Sequence, residues 1–181
     1  MKALFFFFVL FCGLGFCDQI PNAQFVTSNN KPLQFYDLKG SYLFVSFIYT
    51  RCPIAKMCPL TMTLNKQVWR KVKKELPNTK IKYLVVTLDP DVDTPQVLKS
   101  YAKKLSLNED DFILVTGSAQ VLSDFASQFN VIGFNNPDRT VSHNLKSILV
   151  SPTLSSIKEF KENEWKSQDV VEELKKSLAE K

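Results

Sequence analysis

Two long apolar runs constrain the fold more than any other feature of this sequence. Residues 42–49 and 81–88 are nearly continuous stretches of β-branched, aromatic and aliphatic side chains. They lack the regular alternation with polar residues that marks a strand exposed on one face. Such strands lie buried on both faces, in the middle of a parallel or mixed sheet. Because helices must cover both faces of that sheet, the two runs predict an α/β domain.

Further strands and helices alternate along the rest of the chain. Strands are expected at 112–116, 147–151 and 156–160, the last two as an antiparallel pair. Helices are expected at 60–76, from Thr94 to Leu105, from Ser118 to Phe129, and through Val171, Leu174 and Leu178. The order βαβαβαββα after an N-terminal extension predicts a central mixed β-sheet flanked by helices.

The first seventeen residues differ from the rest of the chain. A positively charged start is followed by an apolar run at residues 3–12, which is typical of a signal peptide and shorter than a bilayer span. Residues 1–17 are therefore predicted to be a signal peptide or an N-terminal membrane anchor, and residues 18–181 a single exported domain. Cleavage before Asp18 would place Cys17 at the −1 position, and Cys17 also ends a weak lipoprotein box.

Export predicts a periplasmic location or one at the outer face of the inner membrane, with membrane association through the N-terminus. In such a compartment thiols tend to be oxidised. The exported domain keeps two cysteines, Cys52 and Cys58, which could form a structural disulfide, a redox couple or a metal site.

Composition narrows the choice of partners and chemistry. The formal net charge of +5 comes without a basic run interleaved with aromatic residues, so no nucleic-acid partner is expected. One histidine and no Gly-x-Ser-x-Gly segment leave no hydrolase triad. Thr50 stands two residues before Cys52, which does not fit the Pro-x-x-x-Thr-x-x-Cys turn of peroxiredoxins.

The two cysteines stand six positions apart, between the first long strand and the first helix. Open α/β sheets bind ligands beyond the C-terminal ends of their strands, which is where Cys52 falls. A helix N-terminus favours a thiolate, so a lowered pKa is expected for a cysteine at this place. Thiolates both attack disulfides and bind soft metal ions.

His143 is the single histidine of the chain and precedes the strand expected at 147–151. In a thioredoxin-type sheet, the loop entering that strand faces the cysteine turn. Two thiolates and one imidazole would form a soft three-coordinate site suited to Cu(I), or to Cu(II) with a further ligand.

Five segments, in this order along the chain, resemble the Sco/SenC family of thioredoxin-fold copper-binding proteins. They are Phe47-Ile48-Tyr49-Thr50-Arg51-Cys52-Pro53, Cys58-Pro59, residues 87–95, Thr116-Gly117-Ser118 and Val141-Ser142-His143. The resemblance implies a thioredoxin-like fold and copper ligands Cys52, Cys58 and His143. It also implies a role in assembling the copper-A site of cytochrome c oxidase, through copper delivery, thiol reduction or both.

The sequence departs from the commonest family pattern at two places. Five residues separate the cysteines, where three are usual, and Ser142 stands where many relatives have Asp. Asp89 and Asp93 match the acidic segment of the family and are expected to flank the site.

The preferred hypothesis is a metallochaperone rather than an enzyme, with the copper-bearing subunit of cytochrome c oxidase or another cuproprotein as partner. The alternative is a thiol-disulfide oxidoreductase that uses Cys52 and Cys58 on thiol-disulfide partners without metal transfer. A third interpretation, an exported binding domain with a structural disulfide, predicts that changing His143 has no effect.

Overall fold

The computed structural model describes residues 20–136 and 140–180. The helices are α1 (Cys58–Glu75), α2 (Pro95–Lys104), α3 (Ala119–Ser127) and α4 (Ser167–Ala179). The strands are β1 (Gln24–Thr27), β2 (Pro32–Gln34), β3 (Tyr42–Ile48), β4 (Ile81–Thr87), β5 (Phe112–Thr116), β6 (Gly133–Asn135), β7 (Val141–His143), β8 (Lys146–Val150) and β9 (Ser156–Lys161). A short 3₁₀ turn, Phe35–Leu38, precedes β3.

Seven of these strands form one mixed sheet in the order β2-β1-β5-β4-β3-β8-β9. The three central strands, β5, β4 and β3, are parallel, and β8, β9, β1 and β2 pair antiparallel at the two sides. The predicted mixed sheet and the predicted antiparallel pairing of β8 with β9 are confirmed.

Two apolar cores lie on the two faces of the sheet. Along β3 every residue is buried, and successive side chains enter opposite cores. Phe44 and Ile48 belong to the core beneath α1, α2 and α4, whereas Val45 and Phe47 pack under α3. This burial on both faces is why β3 has an almost continuous apolar sequence.

The starts of two helices agree with the sequence. The hydroxyl of Thr94 accepts a hydrogen bond from the backbone N–H of Val97, and Ser118 does the same for Val121. Both are N-caps that satisfy an otherwise unpaired donor of the first helical turn.

Two hairpins were not predicted. The N-terminal extension forms β1 and β2, which add an antiparallel edge beside β5. β6 and β7 form a separate two-stranded sheet, in which Gly133 pairs with His143.

The predicted signal peptide or anchor at residues 1–17 lies outside the described residues. Within the described part of the chain, no helix combines the length and the apolar character needed to cross a membrane.

Candidate functional site

The two cysteines and the histidine occupy one end of the central sheet, beyond the C-terminal ends of β3 and β4. The backbone N–H of Leu88, just after β4, donates to the carbonyl of Ile48, the last residue of β3. Cys52 follows in the loop after β3, Cys58 is the first residue of α1, and His143 is the last residue of β7. The loop order therefore places all three predicted residues at the edge where α/β sheets bind ligands.

Cys58 and His143 lie in direct contact. The Sγ atom of Cys58 is 3.7 Å from Nε2 of His143, although 85 residues separate them in sequence. The Tyr49 ring and the imidazole are nearly perpendicular, with 6.0 Å between ring centroids. Helix α1 and the β6–β7 hairpin thus bring a sulfur and a nitrogen together from two different parts of the fold.

The second ring nitrogen fixes the protonation of His143. Its Nδ1 lies 3.0 Å from the carbonyl oxygen of Asn144, which can only accept, so Nδ1 carries the proton. Burial lowers the pKa of His143, which favours the neutral ring. The lone pair of Nε2 is therefore directed toward the Cys58 sulfur, the arrangement that a metal-binding imidazole requires.

The lowered pKa predicted for a cysteine at the helix start is wrong for Cys58. Its side chain is 1% exposed. Burial raises the pKa of the Cys58 thiol, and the neighbouring Cys52 thiol raises it further, whereas hydrogen bonding to the backbone of Tyr49 opposes the change. Removing the sulfur from water thus outweighs the stabilisation of a thiolate by the helix N-terminus. The raised pKa favours the Cys58 thiol, whose hydrogen can point toward Nε2 of His143.

Cys52 has a different environment. It is partly exposed, and its Sγ lies 3.8 Å from the carbonyl oxygen of Ile54 within its own loop. Burial, followed by a hydrogen bond to Cys52, raises the pKa of the Tyr49 hydroxyl to about 12. Both Cys52 and Cys58 are free thiols.

Asp93 fixes the beginning of the cysteine loop. Its carboxylate is 0% exposed and accepts hydrogen bonds from the backbone N–H and the hydroxyl of Thr50 and from the hydroxyl of Thr87. Burial raises the pKa of Asp93, and the hydrogen bonds from Thr50 and Thr87 partly oppose this rise. The residue therefore holds the chain two positions before Cys52.

Asp89 holds the next residue of the same loop. Nη2 of Arg51 lies 2.7 Å from Oδ2 of Asp89, whose side chain is nearly buried. The two acidic residues expected to flank the site do so, and each binds the loop rather than pointing its carboxylate at the sulfurs.

The residue before the histidine faces away from the sulfurs. Ser142 accepts a hydrogen bond of 2.8 Å from the side-chain amide of Asn136. Along β7 successive side chains point to opposite faces, so Ser142 closes the β6–β7 hairpin while His143 faces Cys58.

Not all three candidate ligands converge. Among residues 20–136 and 140–180, no group of three His, Cys, Asp or Glu side chains is close enough to hold a metal ion. The structure joins Cys58 with His143, and Cys52 lies beside them in the loop. A metal ion bound at about 2.3 Å from sulfur and about 2.0 Å from nitrogen, at an angle of about 110–120°, separates those atoms by about 3.5–3.7 Å. The observed separation of 3.7 Å fits such an ion.

Sequence reasoning missed two participants, Tyr49 and Asn144. Tyr49 looked like the last apolar residue of a strand, and nothing in its local sequence signals contact with an imidazole 94 positions away. Asn144 acts through its backbone carbonyl, which every residue possesses, so no sequence signal for it exists.

Together the fold and the site define a thioredoxin-fold protein with a dithiol and a histidine at the ligand-binding edge of its sheet. The SCO1/SenC family model matches residues 19–179. The chain therefore belongs to this family, and the predicted family and thioredoxin-like fold are confirmed.

Among its relatives is a Stutzerimonas stutzeri protein named for copper binding, 29% identical over 137 residues. That alignment covers 74% of this chain and 64% of the relative, so the chain spans less than two thirds of that protein.

Three solved structures share the fold. Arabidopsis thaliana ScoI with copper bound has a TM-score of 0.77 and 21% identity, and covers 86% of this chain and 98% of its own. A SCO1/SenC family lipoprotein from Bacillus anthracis has a TM-score of 0.79 and 22% identity, and the match covers 87% of this chain and 94% of the lipoprotein. BsSco has a TM-score of 0.76 and 26% identity, and the match covers 90% of this chain and 95% of BsSco. It is described as having a disulfide switch and as belonging to the Sco family of cytochrome c oxidase assembly proteins.

Proposed function

We propose that this protein is an exported copper-binding assembly factor that carries copper on Cys52, Cys58 and His143 and delivers it to the copper-A site of cytochrome c oxidase. The observation that supports it most strongly is the 3.7 Å separation of the Cys58 sulfur and the unprotonated Nε2 of His143. Family membership and the copper-bound ScoI relative support the choice of metal. The description of BsSco supports the choice of client.

The donor set favours Cu(I). Two sulfurs and one imidazole nitrogen are soft ligands that select Cu(I), and a fourth ligand would be needed for a stable Cu(II) form. Because the Cys58 thiol is neutral before loading, copper binding displaces its proton. Cys52 closes the site from the loop. A three-coordinate ion remains open to the cysteines of a partner, so transfer proceeds by exchange of ligands.

The location that accompanies this function is the outer side of the membrane, with the N-terminus as a signal peptide or anchor. The Bacillus anthracis lipoprotein relative supports export and membrane anchoring. Anchoring at the membrane that holds the client enzyme would raise the rate at which the two proteins encounter each other.

The experiment is an anaerobic Cu(I) titration of the reduced protein in competition with a chromogenic chelator. The wild type is expected to bind one copper per chain, and Cys52→Ser, Cys58→Ser and His143→Ala to bind it at least about tenfold more weakly, in line with the loss of one ligand. Tyr36→Ala serves as the control for loss of a ring, since Tyr36 is exposed and lies in the 3₁₀ turn before β3. Undiminished affinity in His143→Ala would exclude the three-ligand site.

A second candidate function is thiol-disulfide reduction, favoured by the unequal exposure of the two thiols. In this reaction the accessible Cys52 thiolate attacks a partner disulfide, forms a mixed disulfide and releases one partner thiolate. The Cys58 thiol then gives up its proton and attacks the Cys52 sulfur, and the proton passes to the leaving sulfur of the partner, which departs as a thiol. A Cys52–Cys58 disulfide remains, so two electrons pass to the partner. Copper-free wild type that reduces a test disulfide stoichiometrically, with His143→Ala unimpaired, would favour this function.

A further inference from the structure

The turn after β9 contacts both halves of the candidate site. Glu162 and Asn163 form this turn with positive φ angles of 58° and 59°. The backbone N–H of Glu162 donates to the carbonyl of Leu145, two residues after His143. The Asn163 side chain reaches the start of α1, where Cys58 lies. One turn therefore bridges the segment that follows the imidazole, between β7 and β8, and the helix that carries the sulfur.

The contacts of Asn163 concentrate on the backbone just before Cys58. Its Nδ2 donates to the hydroxyl of Thr61 at 2.9 Å and also lies 3.2 Å from the carbonyl of Met57 and 3.3 Å from that of Lys56. Thr61 is 2% exposed, and its own hydroxyl approaches the Met57 carbonyl at 3.2 Å. The bonds from Asn163 connect residues more than 100 positions apart in sequence, and they fix the last two residues of the cysteine loop, Lys56 and Met57.

The conformation of Asn163 fits this task. Asparagine tolerates a positive φ better than other non-glycine residues, and its amide supplies two hydrogens. One hydrogen serves the Thr61 hydroxyl, and the other is shared by the two carbonyls. These contacts contribute little to packing of the apolar core, because the Asn163 side chain is only partly buried and its partners are polar atoms.

We propose that Asn163 is a positioning residue, which fixes the Cys58 thiol against the His143 imidazole through the Glu162–Asn163 turn. The proposal deepens the copper-binding function and rests on it. With Thr50 held by Asp93 and Met57 held by Asn163, both ends of the cysteine loop are fixed. Residues 53–56 between them are exposed, so the loop can adjust Cys52 while Cys58 stays in place.

The test compares Asn163→Gly with Asn30→Gly in the full chain. Asn30 also has a positive φ, of 56°, but lies in the β1–β2 turn at the opposite edge of the sheet. Glycine adopts such angles freely, so each change removes a side chain and keeps the turn. In Asn163→Asp, the second variant, a carboxylate oxygen replaces the amide oxygen that lies 3.1 Å from the Thr61 hydroxyl, so an acceptor for Thr61 is kept and both donor hydrogens are lost.

The first readout needs no metal. In a reduced Cys52→Ser background, the alkylation rate of Cys58 is followed by peptide mass spectrometry. Loss of the two Asn163 donor bonds is expected to raise that rate by about 25-fold, because each lost hydrogen bond shifts a local opening equilibrium by about fivefold. Asn30→Gly is expected to leave it unchanged.

The second readout is copper binding by proteins with Cys52 intact. Both Asn163 variants are expected to weaken Cu(I) binding about tenfold and to shift the ultraviolet absorption band of the Cu(I)–thiolate bond. The proposal is overturned if both variants lower the melting temperature but leave the Cys58 alkylation rate and the absorption band as in wild type. If wild type binds no copper, the proposed function fails, and the alkylation rates alone decide whether Asn163 positions Cys58.

Discussion

Replacing Asp93 by alanine tests how the cysteine loop is held at its first residue. The change removes the acceptor for three donors: the backbone N–H and the hydroxyl of Thr50, and the hydroxyl of Thr87. Thr87 is 0% exposed, so its hydroxyl loses a partner that water cannot readily replace. Thr50 is partly exposed, so its two donors regain water in part.

The magnitude follows from these environments. A buried donor left without a partner costs about 1–3 kcal/mol, and donors that water reaches cost less. The variant also no longer buries a carboxylate, whose raised pKa signals a desolvation penalty, and this gain offsets part of the loss. We therefore expect the free energy of unfolding to fall by about 2–4 kcal/mol.

The assay is urea unfolding at neutral pH of the reduced, metal-free protein, with Asp91→Ala as the matched control. Asp91 lies with Asp93 in the loop between β4 and α2 and is exposed. Its replacement should therefore change the free energy of unfolding by less than about 0.5 kcal/mol. Equal midpoints for the two variants would refute the role assigned to the Asp93 hydrogen bonds. Faster alkylation of Cys52 in Asp93→Ala would extend that role to the site.

Three further predictions concern the pH dependence of stability, aromatic packing and a buried hydrogen bond. Because the pKa of Asp93 is raised in the folded protein, the stabilisation it provides is fully present below its unfolded pKa and declines as pH rises through the folded value. The difference in unfolding free energy between wild type and Asp93→Ala should therefore shrink from pH 3.5 to 7. A constant or growing difference would contradict the shift. Phe125 packs against four other aromatic rings, so Phe125→Ala should lower the free energy of unfolding by about 3–5 kcal/mol in urea titrations. Asn65→Ala should lower the free energy of unfolding by about 1–3 kcal/mol in the same titrations, because the buried Ser46 hydroxyl loses its hydrogen bonds to the Asn65 amide. A decrease below about 0.5 kcal/mol would show that the Ser46 hydroxyl is satisfied by Ser147 alone.

The central fold could be predicted because its signals are local. The buried strands β3 and β4 are apolar on both faces, and Thr94 and Ser118 are capping residues that mark helix starts. The β1–β2 hairpin could not be found in this way. Its strands have four and three residues, one of them beginning with a proline, and they form because β5 offers an edge to pair with.

The place of the candidate site in the fold could be predicted more fully than its chemistry. Cys52 and Cys58 follow a recognisable strand and precede a recognisable helix, and the topology of the sheet suggested that His143 would face them. The thiol pKa was predicted in the wrong direction for Cys58, because a helix N-terminus can be read from sequence and burial cannot. The contact of Cys58 with His143 depends on the β6–β7 hairpin, whose short strands carry no strong signal.

The five-residue spacing between the cysteines explains why the two thiols differ. Cys58 begins α1, and its position follows from the helix and from the contact with His143. Cys52, six positions earlier, lies outside the helix, in a loop closed by hydrogen bonds from its own N–H to Tyr49 and from Met57 to Ile54. One thiol is therefore fixed by secondary structure and the other by loop turns, which reorganise at lower cost. A loop of this kind can bring Cys52 to a metal ion at the proposed ligands Cys58 and His143, or turn it outward to a partner, without moving Cys58.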